Sequence, residues 1–483
     1  MTWLRLTVWA EVGTAVLILF VSATATIVSV NHLDSTIGAA QHEVLESAET
    51  TIPVGSFPFG IAYDPVNHFV YVSNYGSGNI SVLNTTTDRA VEWIPVPFGF
   101  ESLVADSATG VVYGADAASS AYAISPAIPS VVTRISLTGA GCPNGCIPDA
   151  RAYDPANGDI YVTDIATNYV SIINGTTAVG WVGVGLYPNG AAYDAENGDI
   201  YVVNEGSSSL TIINGSTNQV TQFVRPVQPG EGIAYDSSNQ DLYVCSNAVE
   251  RNQSNNITVV NGSSNTILAV IPISSACQGA IYDSFNGYVY ITDRSAIGGQ
   301  DLANVTIVDP DTNRIASIVP VQAGPCDITF DSANDNVYVA DSGTNNVSIL
   351  PQITRLAVHE TGLPRGTNWS ATVGGTTQSS TTPTIYFPET SGTLNFSIGH
   401  AANLTANPSS GTIQVSGGEQ WLNVSFSKGG GTGILGLPDE TGYYVIVGIV
   451  AVAAILIAAV VILSRATKRR GAAGPPPQAP PSV

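Results

Sequence analysis

A short pattern of residues recurs seven times between residues 63 and 341 and is the strongest constraint on the fold. In each copy an apolar residue precedes an aspartate, a small or polar turn follows, and an apolar run that contains tyrosine ends the copy. The first copy pairs Tyr63-Asp64 with Tyr71-Val72-Ser73-Asn74. The seven aspartates are Asp64, Asp106, Asp154, Asp194, Asp236, Asp283 and Asp331, which lie 40 to 48 residues apart. Such regularity indicates one supersecondary unit used seven times.

Each copy holds several short strands separated by turns. The turn Asp154-Pro155-Ala156-Asn157-Gly158 has the proline, asparagine and glycine that a tight connection needs. A third strand such as Ser171-Ile172-Ile173-Asn174 follows. An outer strand then contains Ile94-Pro95-Val96 or its equivalent, and proline is tolerated there because an edge strand has N–H groups without a ladder partner. The units, about 44 residues each, predict an all-β chain with a seven-bladed β-propeller over residues 48–353.

The two ends of this region predict how the ring closes. The seventh unit ends after Val347-Ser348-Ile349-Leu350 and lacks an outer strand. Upstream of the first unit stands Ile52-Pro53-Val54, which has the composition of an outer strand. We expect this segment to complete the seventh sheet, because an open ring would expose strand edges to aggregation.

Apolar stretches near both termini predict export and a membrane anchor. Residues 1–25 combine Arg5, an apolar run and the small residues Ala23-Thr24-Ala25, as in a signal peptide or an uncleaved signal anchor. Residues 443–463 carry no charge and are long enough for a transmembrane helix. Because basic residues follow, the tail 464–483 is expected in the cytoplasm and the ectodomain outside the cell membrane.

The remaining residues divide into two linkers and a second unit. Residues 26–47 and 429–442 are the expected linkers. Residues 354–428 contain alternating runs such as Leu394-Asn395-Phe396-Ser397-Ile398, which predict a small β-sandwich.

The repeats resemble the YVTN family of β-propellers, which occurs on archaeal and bacterial cell surfaces. Tyr71-Val72-Ser73-Asn74 and Tyr161-Val162-Thr163-Asp164 are closest to the motif that names the family, whereas Gly114 replaces valine in the second copy. Residues 354–428 begin with a segment containing Glu360-Thr361-Gly362-Leu363-Pro364 and resemble the immunoglobulin-like or PEGA-like β-sandwich modules of archaeal surface proteins. The resemblance implies a surface propeller on a stalk, and it implies no particular activity.

Residues placed five before each repeat aspartate are expected to start the innermost strands and to surround the mouth of a central channel. They are Phe59, Glu101, Asp149, Asn189, Glu231, Gln278 and Cys326. Acids and amides predominate, so the candidate ligand-binding residues are Glu101, Asp149, Asn189, Glu231 and Gln278. The three carboxylates could share a cation or a cationic group. Alternatively, the mouth of a channel is wet, and polar residues belong there without any ligand.

Motifs for catalysis or metal binding are missing from the sequence. The five histidines have no ligand spacing, and there is no Gly-x-Ser-x-Gly elbow. Asp309-Pro310-Asp311 begins like a calcium loop, but Arg314 occupies the position of the required glycine. We therefore predict no catalytic residue, no metal, no cofactor and no enzyme activity. The net charge of −22 also disfavours binding to nucleic acid.

Cysteines and glycosylation sequons add expectations for an exported protein. Cys142 and Cys146 flank a turn and could form one disulfide, Cys277 and Cys326 could form another, and Cys245 would then keep its thiol. The Asn-x-Ser/Thr sequons start at Asn79, Asn84, Asn174, Asn214, Asn252, Asn256, Asn261, Asn304, Asn346, Asn368, Asn395, Asn403 and Asn423. These are glycosylation candidates, although a chain rich in Asn, Ser and Thr also forms sequons by chance.

These features favour a membrane-anchored extracellular β-propeller in non-catalytic recognition or adhesion, or in a surface-layer-associated scaffold. Its partners would be cell-surface proteins or glycans. The alternative is an extracellular enzyme with a lactonase-like or quinoprotein-like site at the channel mouth, which would need a bound metal or cofactor. A third reading is a coat protein that associates only with itself. The oligomeric state does not follow from the sequence.

Overall fold

The computed structural model describes residues 43–45, 47–48, 50–116, 118–127, 130–138, 148–227, 230–246, 255–294, 303–399, 401, 403–428, 432–433 and 437–438. Regular structure in these ranges is β-strand, apart from a 3₁₀ turn at Glu205–Ser207. The predicted signal segment, transmembrane helix and tail lie outside them, as do Cys142, Cys146 and Asn252. None of the described residues belongs to a helix with the length and apolar character that a bilayer span requires.

Seven antiparallel sheets follow one another along the chain. Before them come β1 (Glu43–Val44) and β2 (Thr50–Pro53). The first three sheets contain β3 (Pro58–Asp64), β4 (Phe69–Asn74), β5 (Asn79–Asn84) and β6 (Arg89–Pro95), then β7 (Leu103–Ala105), β8 (Val112–Asp116), β9 (Ser120–Ile124) and β10 (Val132–Ser136), then β11 (Pro148–Asp154), β12 (Asp159–Asp164), β13 (Tyr169–Asn174) and β14 (Thr177–Gly183).

The other four sheets continue the same order. They contain β15 (Pro188–Tyr193), β16 (Asp199–Asn204), β17 (Ser209–Asn214) and β18 (Gln219–Val224), then β19 (Ile233–Asp236), β20 (Asp241–Cys245), β21 (Asn256–Asn261) and β22 (Thr266–Pro272), then β23 (Ala276–Asp283), β24 (Tyr288–Arg294), β25 (Ala303–Asp309) and β26 (Arg314–Pro320), and finally β27 (Pro325–Asp331), β28 (Asn336–Asp341) and β29 (Asn346–Ile349). Within a sheet the strands lie side by side in chain order.

The two ends of the ring meet in the seventh sheet. Its fourth strand is β2, which pairs antiparallel with β29 and places Ile52 opposite Val347. This confirms the predicted pairing of the segment at Ile52 with the end of the seventh unit. In addition, β1 lies at the end of the predicted N-terminal linker and forms a fifth, parallel strand beside β26, with Val44 opposite Ile318.

An apolar cluster fills each interface between neighbouring sheets. Tyr71 of the first sheet packs with Phe100 of the second, for example. The interface between the seventh and the first sheet, which we call the seam of the ring, is also apolar: Ile52 of the seventh sheet packs with Ile61 and Val72 of the first. Burial of apolar surface therefore joins the sheets all the way around, and the fold is a β-propeller.

The repeat aspartates have one shared structural role. Each ends or follows an innermost strand, and one carboxylate oxygen accepts a hydrogen bond from the backbone N–H two residues later, at 2.8 to 2.9 Å in all seven copies. This Asx turn satisfies backbone donors where the chain reverses direction. The recurrence of aspartate therefore follows from turn chemistry.

The repeat tyrosines connect neighbouring sheets. Tyr161 and Tyr201 are fully buried on second strands. The Tyr161 hydroxyl donates to Asn218 at 2.7 Å, and the Tyr201 hydroxyl donates to the carbonyl of Gly262 at 2.9 Å. In both cases the partner lies in the outer hairpin of the next sheet. A phenylalanine would pack equally well but would lose this hydrogen bond.

In several sheets an asparagine or aspartate at the end of the second strand contacts a hydroxyl on the third strand. The amide of Asn74 donates to the hydroxyl of Ser81 at 2.9 Å. Asp341 occupies the equivalent position in the seventh sheet, and there the hydroxyl of Ser348 donates to the carboxylate at 2.6 Å. The two residue types are thus interchangeable as hydrogen-bonding groups, but only aspartate can take up a proton.

Residues 353–428 form two further four-stranded sheets. One has the order β33-β30-β37-β35 and the other β32-β31-β34-β36. The strands are β30 (Ile353–Thr361), β31 (Trp369–Val373), β32 (Thr376–Ser380), β33 (Thr384–Thr390), β34 (Gly392–Ile398), β35 (Leu404–Asn407), β36 (Ser410–Val415) and β37 (Gly418–Lys428), and a separate pair consists of β38 (Thr432–Gly433) and β39 (Leu437–Pro438). Both four-stranded sheets contribute to one apolar cluster that includes Trp369, Phe387 and Phe426. We call residues 353–428 the C-terminal unit.

Arg355 joins the C-terminal unit to the sixth sheet. Its guanidinium is buried, forms ion pairs with Asp309 at 2.7 Å and Asp311 at 2.6 Å, and lies 3.7 Å from the ring centroid of Tyr386. The amide of Asn286 also donates to the carbonyl of Ile353 at 3.1 Å. A buried arginine with two carboxylates and a ring face is a directional contact, so this junction is specific.

The described disulfide joins Cys245 to Cys277, with a Cα–Cα distance of 5.8 Å. The predicted Cys277–Cys326 pairing is therefore wrong, as is the expectation of a thiol at Cys245. The reason is that an innermost strand begins against the end of the second strand of the preceding sheet. Cys245 ends β20 and Cys277 lies near the start of β23. The buried thiol of Cys326 instead donates to the carbonyl of Gly324 at 3.4 Å.

Candidate functional site

A central cavity of about 250 Å³ is surrounded by the innermost strands of all seven sheets. Its lining includes four charged or amide residues, Arg151, Glu231, Gln278 and Asp327. The rest consists largely of glycines, alanines and aliphatic residues from these strands. The cavity is therefore a narrow channel with a few polar groups in an otherwise apolar wall.

Glycines let the innermost strands converge around the cavity. A Cβ atom on Gly190 would lie 1.9 Å from the carbonyl oxygen of Glu231, and one on Gly279 would lie 2.8 Å from that of Cys326. Both distances are shorter than van der Waals contact, so a side chain there would push neighbouring strands apart. Glycine at these positions thus brings the side chains of adjacent strands within reach of one another.

Arg151 points into the channel because the innermost strand of the third sheet bulges at this residue. The pairing with β12 shifts register between Ala150 and Ala152, and Arg151 is the extra residue. A bulge of this kind redirects a side chain. The guanidinium forms an ion pair with Asp149 and donates to the amide oxygen of Asn189 at 3.1 Å. The Arg151 side chain is 13% exposed and that of Asp149 is 9% exposed, so the pair is largely shielded from water.

Negative charge dominates around this ion pair. Burial works against the charge of Arg151, but the carboxylates of Asp149, Asp327, Glu231 and Glu101 outweigh it and raise the pKa of the guanidinium. Burial raises the pKa of Asp149 to about 7 despite the opposing charge of Arg151, and the neighbouring carboxylates add to the increase. Four carboxylates thus share one guanidinium, and their surplus charge favours protonation of some of them.

Asp327 fixes the seam of the ring on the channel side. Its carboxylate accepts from the backbone N–H of Ile61 at 3.2 Å and from that of Ile328 at 2.9 Å. Burial raises its pKa to about 6 against the effect of Arg151. Nearby, the backbone N–H of Tyr63 donates to the hydroxyl of Thr329 at 3.2 Å. Side chains of the last sheet therefore pair with the backbone of the first.

Most predicted channel residues meet at this site, although not all of them line the cavity. Glu231 and Gln278 line it directly, while Asp149 and Asn189 hold Arg151. Glu101 is exposed at the rim of the channel, but neighbouring protein atoms remove part of the water around its carboxylate, which raises its pKa; Arg151 opposes this effect and Glu231 reinforces it. Of the three carboxylates, Asp149 forms an ion pair with Arg151, and the charges of Glu101 and Glu231 also act on this guanidinium.

Two site residues, Arg151 and Asp327, were absent from the predicted set. Counting five residues back from the seventh aspartate reaches Cys326, which is fully buried beside the channel. The channel residue of that sheet is Asp327, one position later. A charged residue inside a strand that is otherwise small and apolar was the available signal for both residues. The charge of Arg151 was therefore visible in the sequence, but the bulge that turns its side chain inward was not.

Exposed and half-buried aromatic side chains lie on the face where the innermost strands begin. Phe57 and Phe59 have ring centroids 6.2 Å apart, and Tyr75 lies 6.3 Å from Phe57. Phe98 is exposed in the segment that leads to Glu101. We call Phe57, Phe59, Tyr75 and Phe98 the aromatic patch. It shares this face of the disc with Glu101 and Glu231, because these two glutamates and the three phenylalanines lie at or before the starts of innermost strands. Tyr75 follows the end of β4, and its backbone N–H donates to the carbonyl of Phe57 at 2.9 Å.

Within the described ranges, no three residues of the types His, Cys, Asp and Glu are arranged to hold a metal ion. The geometry can do two other things. Its surplus of carboxylates can attract a cationic group, and its aromatic faces can stack on a ring or on a cation. Both are recognition properties.

No protein-family model and no curated protein matches the chain. Many solved structures share its fold. A streptogramin B lyase gives a TM-score of 0.51 at 16% identity, covering 62% of this chain and 96% of the lyase. A chain from a mitotic checkpoint complex gives a TM-score of 0.53 at 9% identity, covering 64% of this chain and 93% of the other.

Identities this low show the fold alone. The ring of sheets, the central channel and the similarity to these two structures together define a β-propeller protein. Its channel contains a guanidinium among carboxylates.

Proposed function

We propose that the protein is a membrane-anchored, extracellular β-propeller of YVTN type that recognises a partner at its channel mouth without catalysis. The seven sheets would be seven blades. The C-terminal unit would be a β-sandwich stalk between the disc and a transmembrane helix at residues 443–463. The uncharged run of that segment and the basic residues after it support the anchor.

One observation carries the recognition proposal: carboxylates outnumber the single guanidinium on the face that also bears the aromatic patch. Glu101 and Glu231 contribute negative charge beside Arg151, which is already paired with Asp149. A second cationic group from a partner would find an attractive potential there. Aromatic faces next to it would hold the stem or ring that carries the charge.

The partner would therefore present amino or guanidinium groups. Lysine and arginine side chains of a cell-surface protein have this chemistry, and so do amino sugars of a surface glycan. Cationic partners complement this chain, because only 15 of its residues are lysine or arginine while 37 are aspartate or glutamate. Attraction between two copies of such an acidic chain would be weak at neutral pH.

The test measures binding of cationic probes to the full-length protein in detergent by calorimetry. Oligolysine and a glucosamine oligosaccharide are the probes, and their N-acetylated forms are the neutral controls. We expect the double variant E101Q/E231Q to lose at least tenfold in affinity, which equals about 1.4 kcal/mol. Glu196 lies exposed in a turn after an innermost strand, on the other side of the disc, so E196Q is the matched control.

Binding that is equal in E101Q/E231Q, E196Q and the unaltered protein would remove the channel mouth from the proposal. No binding of either cationic probe would contradict recognition of cationic groups. Binding that persists with the acetylated probes would show that the aromatic patch acts without the carboxylates.

A second candidate function is an extracellular enzyme, and the pKa of Asp149 favours it. A carboxyl group that titrates at about 7 is suited to general acid or base catalysis near neutral pH. One protein that shares the fold is a lyase. An assay for hydrolysis of cyclic esters tests this candidate. Turnover that D149N abolishes, with unchanged circular dichroism, would support an enzyme over a recognition protein.

A further inference from the structure

Sequons in the propeller coincide with the ends of its third strands. Asn84, Asn174, Asn214 and Asn261 are the last residues of β5, β13, β17 and β21, while Asn79, Asn256 and Asn346 begin β5, β21 and β29, and Asn304 is second in β25. The hydroxyl residues of the first four sequons belong to the hairpins that follow. Their recurrence therefore has a structural cause.

The amide groups of these hairpin asparagines are already used. The amide nitrogen of Asn174 donates to Asp159 at 2.9 Å, and that of Asn261 donates to Asp241 at 2.9 Å. The amide oxygen of Asn84 accepts from two backbone N–H groups of its turn at 3.0 Å. A glycan on the nitrogen would disturb a hydrogen bond to a buried carboxylate in the first two cases.

Sequon asparagines in the C-terminal unit differ from those of the hairpins in their exposure and hydrogen bonding. Asn368, Asn395, Asn403 and Asn423 are all exposed. Among the described residues, none accepts a hydrogen bond from their amide nitrogens. These four nitrogens are accessible to a modifying enzyme without loss of a structural contact.

Asn368 differs from the other three because it lines a cleft. The cleft has a volume of about 690 Å³ and lies between the propeller and the C-terminal unit. This volume falls in the range of about 300–1,000 Å³ for small-molecule sites. Ile271 and Pro272 from the fifth sheet form part of one wall, and Gln378 and Thr381 from the C-terminal unit form part of the other.

The chemistry of both walls suits a sugar. Pyranose rings present hydroxyl groups at their edges and C–H groups on their faces. The cleft offers amides and hydroxyls together with aliphatic side chains, and the exposed Arg314 adds a donor at the propeller wall. A glycan that starts at Asn368 could contact both units at once.

We propose that Asn368 is N-glycosylated and that the first sugars of its glycan occupy this cleft, where they connect the C-terminal unit to the propeller. The propeller's hairpin sequons stay unmodified. This inference rests on the proposed extracellular location. It concerns a different surface from the channel mouth, which lies on the innermost strands.

The modification step uses a lipid-linked oligosaccharide as the donor. The amide nitrogen of Asn368 attacks the anomeric carbon, a C–N bond forms and the anomeric C–O bond breaks. The lipid phosphate or diphosphate leaves with the electron pair, and the amide loses one proton. Ser370 supplies the hydroxyl residue that the sequon requires.

Glycopeptide mapping of the protein purified from its own membrane tests the first part. We expect glycan at Asn368 and none at Asn174, Asn214 or Asn261. Peptides in which Asn368 is unmodified would overturn the inference, whatever the state of Asn395 and Asn423. Binding of cationic probes tests the proposed function separately, so the two can fail independently.

Hydrogen exchange of the protein from the same source tests the second part. N368Q and S370A each remove the sequon by a different residue, and N395Q is the matched control. We expect exchange in β32 and in the outer part of β22 to become about tenfold faster in N368Q and S370A only. Exchange equal to that of N395Q would overturn the placement of the glycan in the cleft.

Discussion

Arg151 and Asp149, two residues apart on β11, form an ion pair inside the ring, and three further carboxylates surround it. Replacing the arginine leaves these carboxylates without a counter-charge. We expect R151M to lower the free energy of unfolding by about 3–5 kcal/mol. The loss should be larger at pH 8 than at pH 5, because more of these carboxylates are ionised at pH 8. Urea unfolding at both pH values measures it. R89M, at an exposed arginine of the outer strand β6, should have little effect at either pH.

Buried aspartates with raised pKa values determine how stability depends on pH. Burial raises the pKa of Asp283, Asp293 and Asp341 to about 7, as it does for Asp149. An unfolded aspartate titrates at about 3.9. Between these values the native state binds more protons than the unfolded chain, so the free energy of unfolding falls as pH rises. We expect the protein to be more stable at pH 5 than at pH 8, by an amount on the order of a few kcal/mol. Equal stability would contradict it.

Asp341 can be replaced by the residue that the chain itself uses at an equivalent position. Asn74 donates to Ser81, whereas Asp341 accepts from Ser348. D341N should keep a hydrogen bond and remove a titrating group. We expect a gain of about 1 kcal/mol at pH 8 and a smaller pH dependence. The reverse change, N74D, is the matched control and should destabilise at pH 8. Thermal unfolding at pH 5 and 8 measures both, and an unchanged pH slope in D341N would count against the prediction.

Phe330 interrupts a series of tyrosines that face aspartates of the preceding sheet. Tyr153 interacts in this way with Asp106, and Tyr235 with Asp194. The seventh sheet has Phe330 where these sheets have a tyrosine, so Asp283 of the sixth sheet faces a phenylalanine and no hydroxyl. We expect F330Y to supply a donor, to lower the pKa of Asp283 and to stabilise the protein by about 1 kcal/mol at pH 8.

The gain from F330Y should depend on Asp283. Urea unfolding of F330Y, D283N and the double variant forms a mutant cycle that isolates the interaction. Additive effects, or destabilisation by F330Y alone, would show that the new hydroxyl does not reach the carboxylate.

Arg355 is expected to hold the C-terminal unit against the propeller. It is paired with Asp309 and Asp311 and stacked on Tyr386. We expect R355M to cost about 3–5 kcal/mol, because Asp309 would remain buried without its partner. Hydrogen exchange in β30 should accelerate before the rest of the chain unfolds. R365M, at an exposed arginine of the same unit, is the control and should leave the exchange unchanged. Identical exchange in the two variants would remove Arg355 from this role.

Local chemistry explains why so much of the ring could be predicted. The repeat aspartate could be recognised in the sequence because each one closes an Asx turn by accepting a hydrogen bond from the backbone N–H two residues later. The repeat tyrosine is visible because it fills one interface and bonds to the next sheet. The pairing of Ile52 with Val347 was predictable because an unpaired outer strand and a sheet without one stood at opposite ends.

The site was only partly predictable because channel side chains depend on register. Asp149 and Glu231 follow the regular count from the repeat aspartate. Arg151 reaches the channel through a bulge, and Asp327 occupies a position where four other sheets have glycine. A one-residue irregularity changes which side chain faces inward. Such a shift leaves little trace in a single sequence.

The amino-acid sequence by itself determined the repeat and the all-β character, because these depend on residue patterns within one unit. It also determined the closure of the ring, because an unpaired outer strand and a sheet without one stand at its two ends. Contacts between units were decided by the tertiary structure alone. The disulfide between Cys245 and Cys277 joins two different sheets, the charge of Asp327 acts on Asp149 across the channel, and residues of two units line the cleft at Asn368. Distances between units follow from how closely the glycine-lined strands converge and how each sheet twists. These are properties of the assembled ring and of no single repeat.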